Sequence, residues 1–190
     1  MKITKTLASV LLLASIIFVG CKKDPVTPQN EEELITTMII KIQKQGSLSV
    51  QNFVFNDPDG TGGISATIDS IIIEKAAIYS AKITLLNSQS TPVDSISNEV
   101  LEEGTDHQFF YLSTPSNVLS SFTYDGENDT NGNPIGLDFS FATWNAGGSG
   151  NLKITLRHQP DKNATGVSSG DITNANGETD IEVTFPVILY

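Results

Sequence analysis

Short apolar segments separated by turn residues recur from residue 34 to the end of the chain, and this pattern most constrains the fold. Each segment is rich in β-branched or aromatic residues and is bounded by glycine, proline, asparagine or aspartate. In the segment LKITLR, 152–157, apolar and polar residues alternate, which places one face of a strand against a core and the other in water. About nine such segments at roughly ten-residue spacing predict an all-β domain, an immunoglobulin-like two-sheet β-sandwich.

The pairing of these segments is predicted from their turns. The predicted strands cover residues 34–44, 48–56, 66–74, 78–87, 107–113, 119–125, 137–144, 151–158 and 181–190. The first two and the next two are expected to form hairpins, and AGGSG, 146–150, reads as a hairpin loop. A slip in alternation at Gln51-Asn52 predicts a bulge. HQFFYLS, 107–113, is apolar on both faces, which is typical of a central strand, and 97–104 predicts one short connector helix.

The N-terminus carries an export signal that ends at the single cysteine. Two lysines precede an apolar run of thirteen residues, 7–19, and a glycine follows it. The run is shorter than the ~20 residues that a permanent membrane helix needs, so it predicts a cleaved signal peptide over residues 1–20. The segment FVGC, 18–21, resembles the bacterial lipobox. This resemblance implies cleavage before Cys21 and lipidation of that residue, which makes the protein a lipoprotein.

The lipidated cysteine is followed by a tether. Residues 22–33 are polar and acidic and contain two prolines, so residues 21–33 are predicted to be a flexible linker ahead of a single domain at 34–190. Lys22 stands second in the mature chain, which resembles the outer-membrane class of lipoproteins. We therefore expect a cell-envelope protein anchored to the outer membrane by its lipid.

The mature chain is strongly acidic. The formal charge of the whole sequence is −11, and it becomes −13 when the signal peptide is removed with its two lysines. Such a surface repels phosphate backbones and anionic lipid, so nucleic acid is not expected as a partner and the acyl chains must provide the membrane attachment. Because lipid occupies the only thiol, no intrachain disulfide is available, and the core must hold the domain, with bound ions as a further contribution.

Two acidic loops, 56–63 and 125–134, carry alternating oxygen donors that suit a hard cation such as calcium. The candidate calcium ligands are Asp57, Asp59 and Thr61 in the first loop and Asp125, Glu127 and Asp129 in the second. The first loop resembles the start of Asp-x-Asp-x-Asp-Gly calcium loops, but a threonine replaces the third acid and Ile68 stands where a twelfth-position glutamate is expected. The alternative is a tight β-turn in the first loop and a solvated loop in the second.

His107 and His158 are the only histidines, and each lies at one end of a predicted strand. Two imidazoles can bind a transition metal, or can flank a haem iron from opposite sides. The alternative is that each ring donates a hydrogen bond to a loop carbonyl. A metal or haem carrier requires the fold to bring both rings to one ion.

Catalytic signatures are not evident, which favours a non-enzymatic protein. The chain contains no His-Glu-x-x-His motif and no Gly-x-Ser-x-Gly elbow, because its one Gly-x-Ser-x-Gly sequence, 166–170, does not directly follow a predicted strand. A carbohydrate-active enzyme would need two facing carboxylates in a cleft, and no pair among the 22 acids stands out. Trp144 suits either a platform for a sugar or a core position, so a glycan or protein partner remains an alternative.

Two three-residue patterns, Asp69-Ser70-Ile71 and Asp94-Ser95-Ile96, resemble the acceptor used for O-glycosylation of exported proteins in some Gram-negative bacteria. The possible modified residues are Ser70 and Ser95. Ser95 is predicted to lie in an exposed connector.

Taken whole, the chain resembles a family of uncharacterised exported lipoproteins of Gram-negative bacteria. The segments that carry the resemblance are 31–37, 57–60, 107–111, 156–158 and 178–185. The resemblance implies no activity and no catalytic residue. The expected function is a lipid-anchored binding or structural surface module, with calcium as its candidate stabilising ion and a haem or metal carrier as the alternative.

Overall fold

The computed structural model describes residues 34–60 and 62–190, and strands dominate them. The elements in chain order are β1 Thr37–Lys44, β2 Val50–Asn56, β3 Thr67–Ile68, β4 Ile71–Ile73, β5 Ile78–Leu86, α1 Ile96–Glu102, β6 His107–Thr114, β7 Leu119–Asp125, β8 Asp138–Thr143, β9 Gly148–His158 and β10 Glu178–Leu189. Short 3-10 helices at Val167–Ser169 and Ile172–Asn174 interrupt the loop between β9 and β10. The predicted signal peptide, Cys21 and the tether lie outside the described residues, as does Thr61.

The strands form two sheets, so the predicted all-β sandwich with one short helix is confirmed. One sheet has six strands in the order β3-β2-β1-β5-β8-β7, and every neighbouring pair in it is antiparallel. The other has four strands in the order β4-β10-β9-β6, in which only the β4–β10 pair is parallel. Alternating apolar residues dictate this layering, because each sheet buries one face against the other.

A single apolar core lies between the sheets, and both sheets contribute to it. Its largest fully buried side chains are Phe109, Phe139, Phe141, Phe185, Met38, Ile40, Ile42, Ile71, Ile73, Ile83, Leu85 and Leu119. Each such side chain contributes about 1.5–3 kcal/mol by leaving water. Helix α1 closes one end of the core with Ile96 and Val100, which lie one turn apart on its buried face.

The segment predicted as one strand, 66–74, is two strands in different sheets, and its predicted hairpin with 78–87 is wrong. β3 pairs with β2 in the six-stranded sheet, whereas β4 lies parallel to β10 in the other. The Asp69 carboxylate, between them, accepts a hydrogen bond from the Val54 amide. The chain changes sheets here because Ile71 and Ile73 of β4 bury their side chains in the core from the four-stranded sheet.

The predicted bulge at Gln51-Asn52 is also wrong, since the β1–β2 ladder runs without a shift. The apparent slip arose because Val50 is half-exposed and does not belong to the inward face. The predicted hairpin loop at 146–150 connects strands of different sheets, and its last three residues belong to β9. Gly150 is needed there, because a Cβ would come within 2.7 Å of the Thr114 carbonyl oxygen.

Strand β6 is an edge strand of its sheet and not the central strand that its two apolar faces predict. A second, small apolar cluster explains the difference. Phe110, on the outer face of β6, packs with Val167 and Ala175 from the loop between β9 and β10. This loop, 159–177, covers the outer face of the sheet that β6 would otherwise expose. Its two ends lie beside the start of β6, which is where the candidate site lies.

Candidate metal centre

The two histidines lie opposite each other where β6 begins and β9 ends. His107 is the first residue of β6, His158 is the last of β9, and the antiparallel register pairs them directly. Opposed residues share a face of the sheet, and this face is the inner one, because Phe109 and Leu156, two positions along each strand, are buried in the core. The rings meet edge to face with centroids 4.6 Å apart.

A carboxylate from β10, Asp180, completes the group. The β9–β10 ladder shifts register between Thr179 and Ile181, so Asp180 is the inserted residue of a β-bulge. Its Oδ1 lies 3.5 Å from Nδ1 of His158, and its Oδ2 lies 3.8 Å from Nε2 of His107. All three side chains are at least nine-tenths buried, with exposed fractions of 0% for His107, 7% for His158 and 5% for Asp180.

The protonation of His107 follows from its other ring nitrogen. Nδ1 lies 3.2 Å from the carbonyl oxygen of Glu103. Because a carbonyl only accepts, Nδ1 carries the proton, and Nε2 of the neutral ring carries a lone pair. Burial lowers the pKa of His107, the Glu103 carbonyl opposes this shift, and the neighbouring His158 lowers the pKa further, so the neutral ring is favoured overall.

The lone pair of His107 faces the Asp180 side chain. Its Nε2 is buried and has no hydrogen-bond partner within the described part of the chain, and the nearest carboxylate oxygen belongs to Asp180 at 3.8 Å. Two atoms that both carry lone pairs repel each other unless a proton or a metal cation lies between them. The arrangement is therefore suited to a positive ion placed among the three side chains.

The distances fit a single metal ion. Each side chain offers one ligand atom, and these atoms all lie within 4.8 Å of one another. Ligands bound to tetrahedral zinc at ~2.0–2.1 Å stand about 3.3 Å apart, so small side-chain rotations would bring the three donors to bonding distance. The Glu103 carbonyl already makes the second contact that fixes the orientation of a metal-binding histidine. Among residues 34–60 and 62–190, these three residues are the one group of histidine, cysteine and acidic side chains that meets this distance criterion.

The first acidic loop forms a turn with two covered carboxylate oxygens. The Gly60 amide donates to the Asp57 carbonyl at 3.4 Å, as in the predicted β-turn, and Oδ2 of Asp59 accepts from the Ile64 amide at 3.0 Å. Oδ1 of Asp57 and Oδ1 of Asp59 are both inaccessible to solvent and make no hydrogen bond within the part of the chain that the structure describes. Thr61, the third predicted ligand, lies outside that part.

The second acidic loop is organised by Asp129 around an internal cation. Oδ1 of Asp129 accepts from the amides of Asn131 and Asn133, each at 2.8 Å, and Oδ2 accepts from the Lys162 ammonium at 3.0 Å. The same ammonium donates to the carbonyls of Gly104 at 2.6 Å and Pro134 at 3.0 Å. Lys162 therefore lies among three oxygens, in the place that the sequence assigns to calcium.

The buried pair shifts both pKa values. Burial raises the pKa of Asp129, but the bonds from the Asn133 amide, from Lys162 and from the Asn131 amide lower it by more, so the net shift is downward. Burial lowers the pKa of Lys162, and Asp129 opposes that shift. The ion pair compensates two charges that would be costly to bury alone.

The other predicted ligands of this loop are exposed and lie apart from Lys162. Asp125 and Glu127 line a surface cavity of about 440 Å³ together with Asp138. Asp138 is paired with Lys82 at 2.8 Å. In this cavity three carboxylates share a cleft, which the hydrolase alternative requires.

The remaining predicted positions are spread over the surface. Ser70 is exposed between β3 and β4, whereas Ser95 precedes α1 and is half-buried, which reverses the expected order of accessibility. The isoleucine that follows each serine is buried in the core. Trp144 is 46% exposed, so it does not occupy a core position.

Sequence reasoning identified the two histidines but missed Asp180 and Lys162. Asp180 lies in a run, Glu178 to Phe185, whose alternation predicts an outward carboxylate, and only the bulge turns it toward the histidines. Lys162 follows Pro160 in a loop, where a lysine is expected to be solvated. Neither residue has a signal in the local sequence, since both roles depend on contacts with distant strands and loops.

The chain matches no protein-family model, no curated protein and no solved structure. No helix in the described part of the chain is both long and apolar enough to cross a membrane.

Proposed function

We propose that the protein is a lipid-anchored cell-envelope module that binds a divalent metal ion through His107, His158 and Asp180. The observation that carries this proposal is the buried Nε2 of His107, whose lone pair faces the Asp180 carboxylate at 3.8 Å beside a second imidazole. Two imidazoles and one carboxylate are a common donor set for metal ions in proteins. The role is binding, as a carrier or as a structural module, and not catalysis.

The export signal supports the envelope location. The segment before Cys21 resembles a lipobox, the tether that follows is polar, and Lys22 fits the outer-membrane class. We therefore propose attachment to the outer membrane through the lipid. The resemblance to exported lipoproteins of Gram-negative bacteria belongs to the same proposal.

A metal ion is favoured over haem by the spacing of the rings. Two axial ligands of a haem stand on opposite faces of a flat macrocycle that separates them. His107 and His158 instead touch edge to face on neighbouring strands, with ring centroids 4.6 Å apart. A hydrolase would instead use the acidic cavity, where Asp138 is ion-paired with Lys82 and would suit the ionised base or nucleophile, so Asp125 or Glu127 would have to be the acid.

Calcium at the first acidic loop is a second, independent candidate. The covered Oδ1 atoms of Asp57 and Asp59 favour it, since oxygen donors without hydrogen-bond partners suit a hard cation. Its role would be to stabilise the domain and not to act as the transported or bound ligand.

Calorimetric titration with zinc tests the main proposal. The full chain, purified in detergent and stripped with EDTA, is expected to bind one zinc ion per chain, and Asp180→Asn is expected to weaken binding by at least tenfold. Glu178→Gln is the matched control, because Glu178 also belongs to the start of β10 but is exposed. Equal zinc affinity in both variants would contradict the proposed site, and absence of binding in the unmodified chain would contradict the proposed function.

A further inference from the structure

The donor set indicates which ions the site prefers. Calcium and magnesium take all or nearly all of their ligands from oxygen, whereas two of the three donors here are imidazole nitrogens. Imidazole suits zinc, copper, nickel, cobalt and iron. The first acidic loop differs in the ion it suits, because its covered donors are carboxylate oxygens, which calcium prefers.

The number of donors indicates that the coordination is incomplete. Histidine, cysteine and acidic side chains of the described residues supply three ligand atoms to this site. Structural zinc sites are almost always closed by four protein ligands, while sites that exchange a ligand keep three and leave a position for water. A first-row ion bound here would therefore hold at least one position that the three side chains do not fill.

The burial of the three side chains limits what that position can take. His107 is completely buried, and solvent reaches only the edge of the site formed by His158 at 7% exposure and Asp180 at 5%. The free position is therefore expected to face that edge. With so little of the site exposed, a sugar or a peptide is disfavoured as the further ligand, because each requires a wider cleft, and a small ligand is favoured.

We infer that the site holds a first-row divalent transition-metal ion whose coordination is completed by water or by a small anion that exchanges with it. This inference rests on the proposed function, because it concerns the same three residues. The exchange is simple ligand substitution: the anion forms a bond to the metal, the water leaves intact, and no electron is transferred. The protein would then bind small anions only in its metal-loaded form.

Cobalt provides the probe, because its visible absorption reports both coordination and ligand exchange. The full chain in detergent, stripped with EDTA, is loaded with one equivalent of cobalt(II) and then titrated with sodium azide. The expected result is a visible band that saturates at one cobalt per chain and shifts with azide along a saturable curve. The Glu178→Gln control should behave like the unmodified chain.

Two variants keep the test decisive. Asp180→Asn and His158→Gln should each reduce cobalt affinity at least tenfold while circular dichroism retains the β-sheet spectrum. If either variant unfolds, the other provides the comparison. A hundredfold excess of calcium should leave the cobalt band unchanged, and displacement of cobalt by calcium would overturn the inferred class of ion.

The outcomes separate the two proposals. If cobalt binds at one equivalent but azide leaves its spectrum unchanged, the exchangeable position does not exist and the inference is overturned, while metal binding stands. If neither cobalt nor zinc binds to the unmodified chain, the proposed function itself fails. An azide response that persists in Asp180→Asn with unchanged affinity would place the cobalt elsewhere and would also overturn the inference.

Discussion

Replacing the buried Lys162 with methionine is expected to lower the free energy of unfolding by about 3–5 kcal/mol, the usual cost of removing one partner from a buried ion pair. Lys162 is 4% exposed, and its ammonium donates to Asp129 and to the carbonyls of Gly104 and Pro134. Methionine keeps most of the aliphatic stem, so packing changes little. The loss comes instead from Oδ2 of the buried Asp129 carboxylate and from two carbonyl oxygens, which no longer receive the hydrogen bonds of the ammonium group.

An exposed ion pair in the same domain provides the control. Lys153 pairs with Glu182 at 3.0 Å, and their side chains are 37% and 46% exposed. Lys153→Met should therefore cost only about 0–1 kcal/mol. Urea unfolding followed by circular dichroism measures both variants, and for a domain of this size the Lys162 variant should also melt about 6–20 °C lower.

A double variant separates the charge from the packing. Asp129→Asn keeps an oxygen for the two loop amides and removes the negative charge. Combined with Lys162→Met, it should cost clearly less than the sum of the two single variants, because no isolated charge then remains buried. The reasoning is refuted if Lys162→Met costs no more than Lys153→Met, or if the two single effects simply add.

Three further predictions follow from the loops. Gly177→Ala should destabilise the domain and weaken zinc binding, because Gly177 has a φ of 68° and a Cβ would overlap the carbonyl oxygen of His158 at the end of β9. Gly46→Ala is the control, since Gly46 has a φ of 81° but open space around it. In thermal unfolding this control should cost about 1 kcal/mol, and it should leave zinc binding intact. Calcium should raise the melting temperature by several degrees, and Asp57→Ala combined with Asp59→Ala should abolish that rise while zinc binding persists. Because the pKa of Asp129 is lowered in the folded protein, its ionised form stabilises the fold above about pH 4. This contribution is lost as the pH falls through the folded-state pKa. In urea unfolding, the difference in the free energy of unfolding between the unmodified chain and Asp129→Asn should therefore be smaller at pH 3 than at neutral pH.

The strands could be predicted from the sequence because their signal is local. Alternation in 152–157 corresponds to buried Leu152, Ile154 and Leu156, and the turn at 45–47 does join β1 to β2. The partners of the strands were harder to predict, since they depend on contacts far apart in sequence. β4 illustrates this, because nothing within Ile71–Ile73 specifies the parallel pairing with β10.

The candidate site also combines features that the local sequence predicts with features that depend on distant strand pairing. Each histidine could be placed at a strand end from its neighbours alone, but only the β6–β9 register brings them together. Asp180 joins them through a bulge, which reverses the orientation that simple alternation predicts. From the sequence alone, a carboxylate within a strand of regular alternation is therefore predicted to face solvent, and only the β9–β10 register shows otherwise.

Two buried carboxylates of the described residues, Asp129 and Asp180, lie beside different kinds of partner. Asp129 meets an ammonium group that the chain itself supplies, so this loop needs no bound cation to be stable. Asp180 meets two imidazoles, and the His107 ring is favoured in its neutral form by burial. A divalent ion among the carboxylate and the two rings would interact favourably with all three groups. Positive charge beside a buried acid is thus supplied by the chain itself at Asp129, and at Asp180 it is what the proposed metal ion would supply.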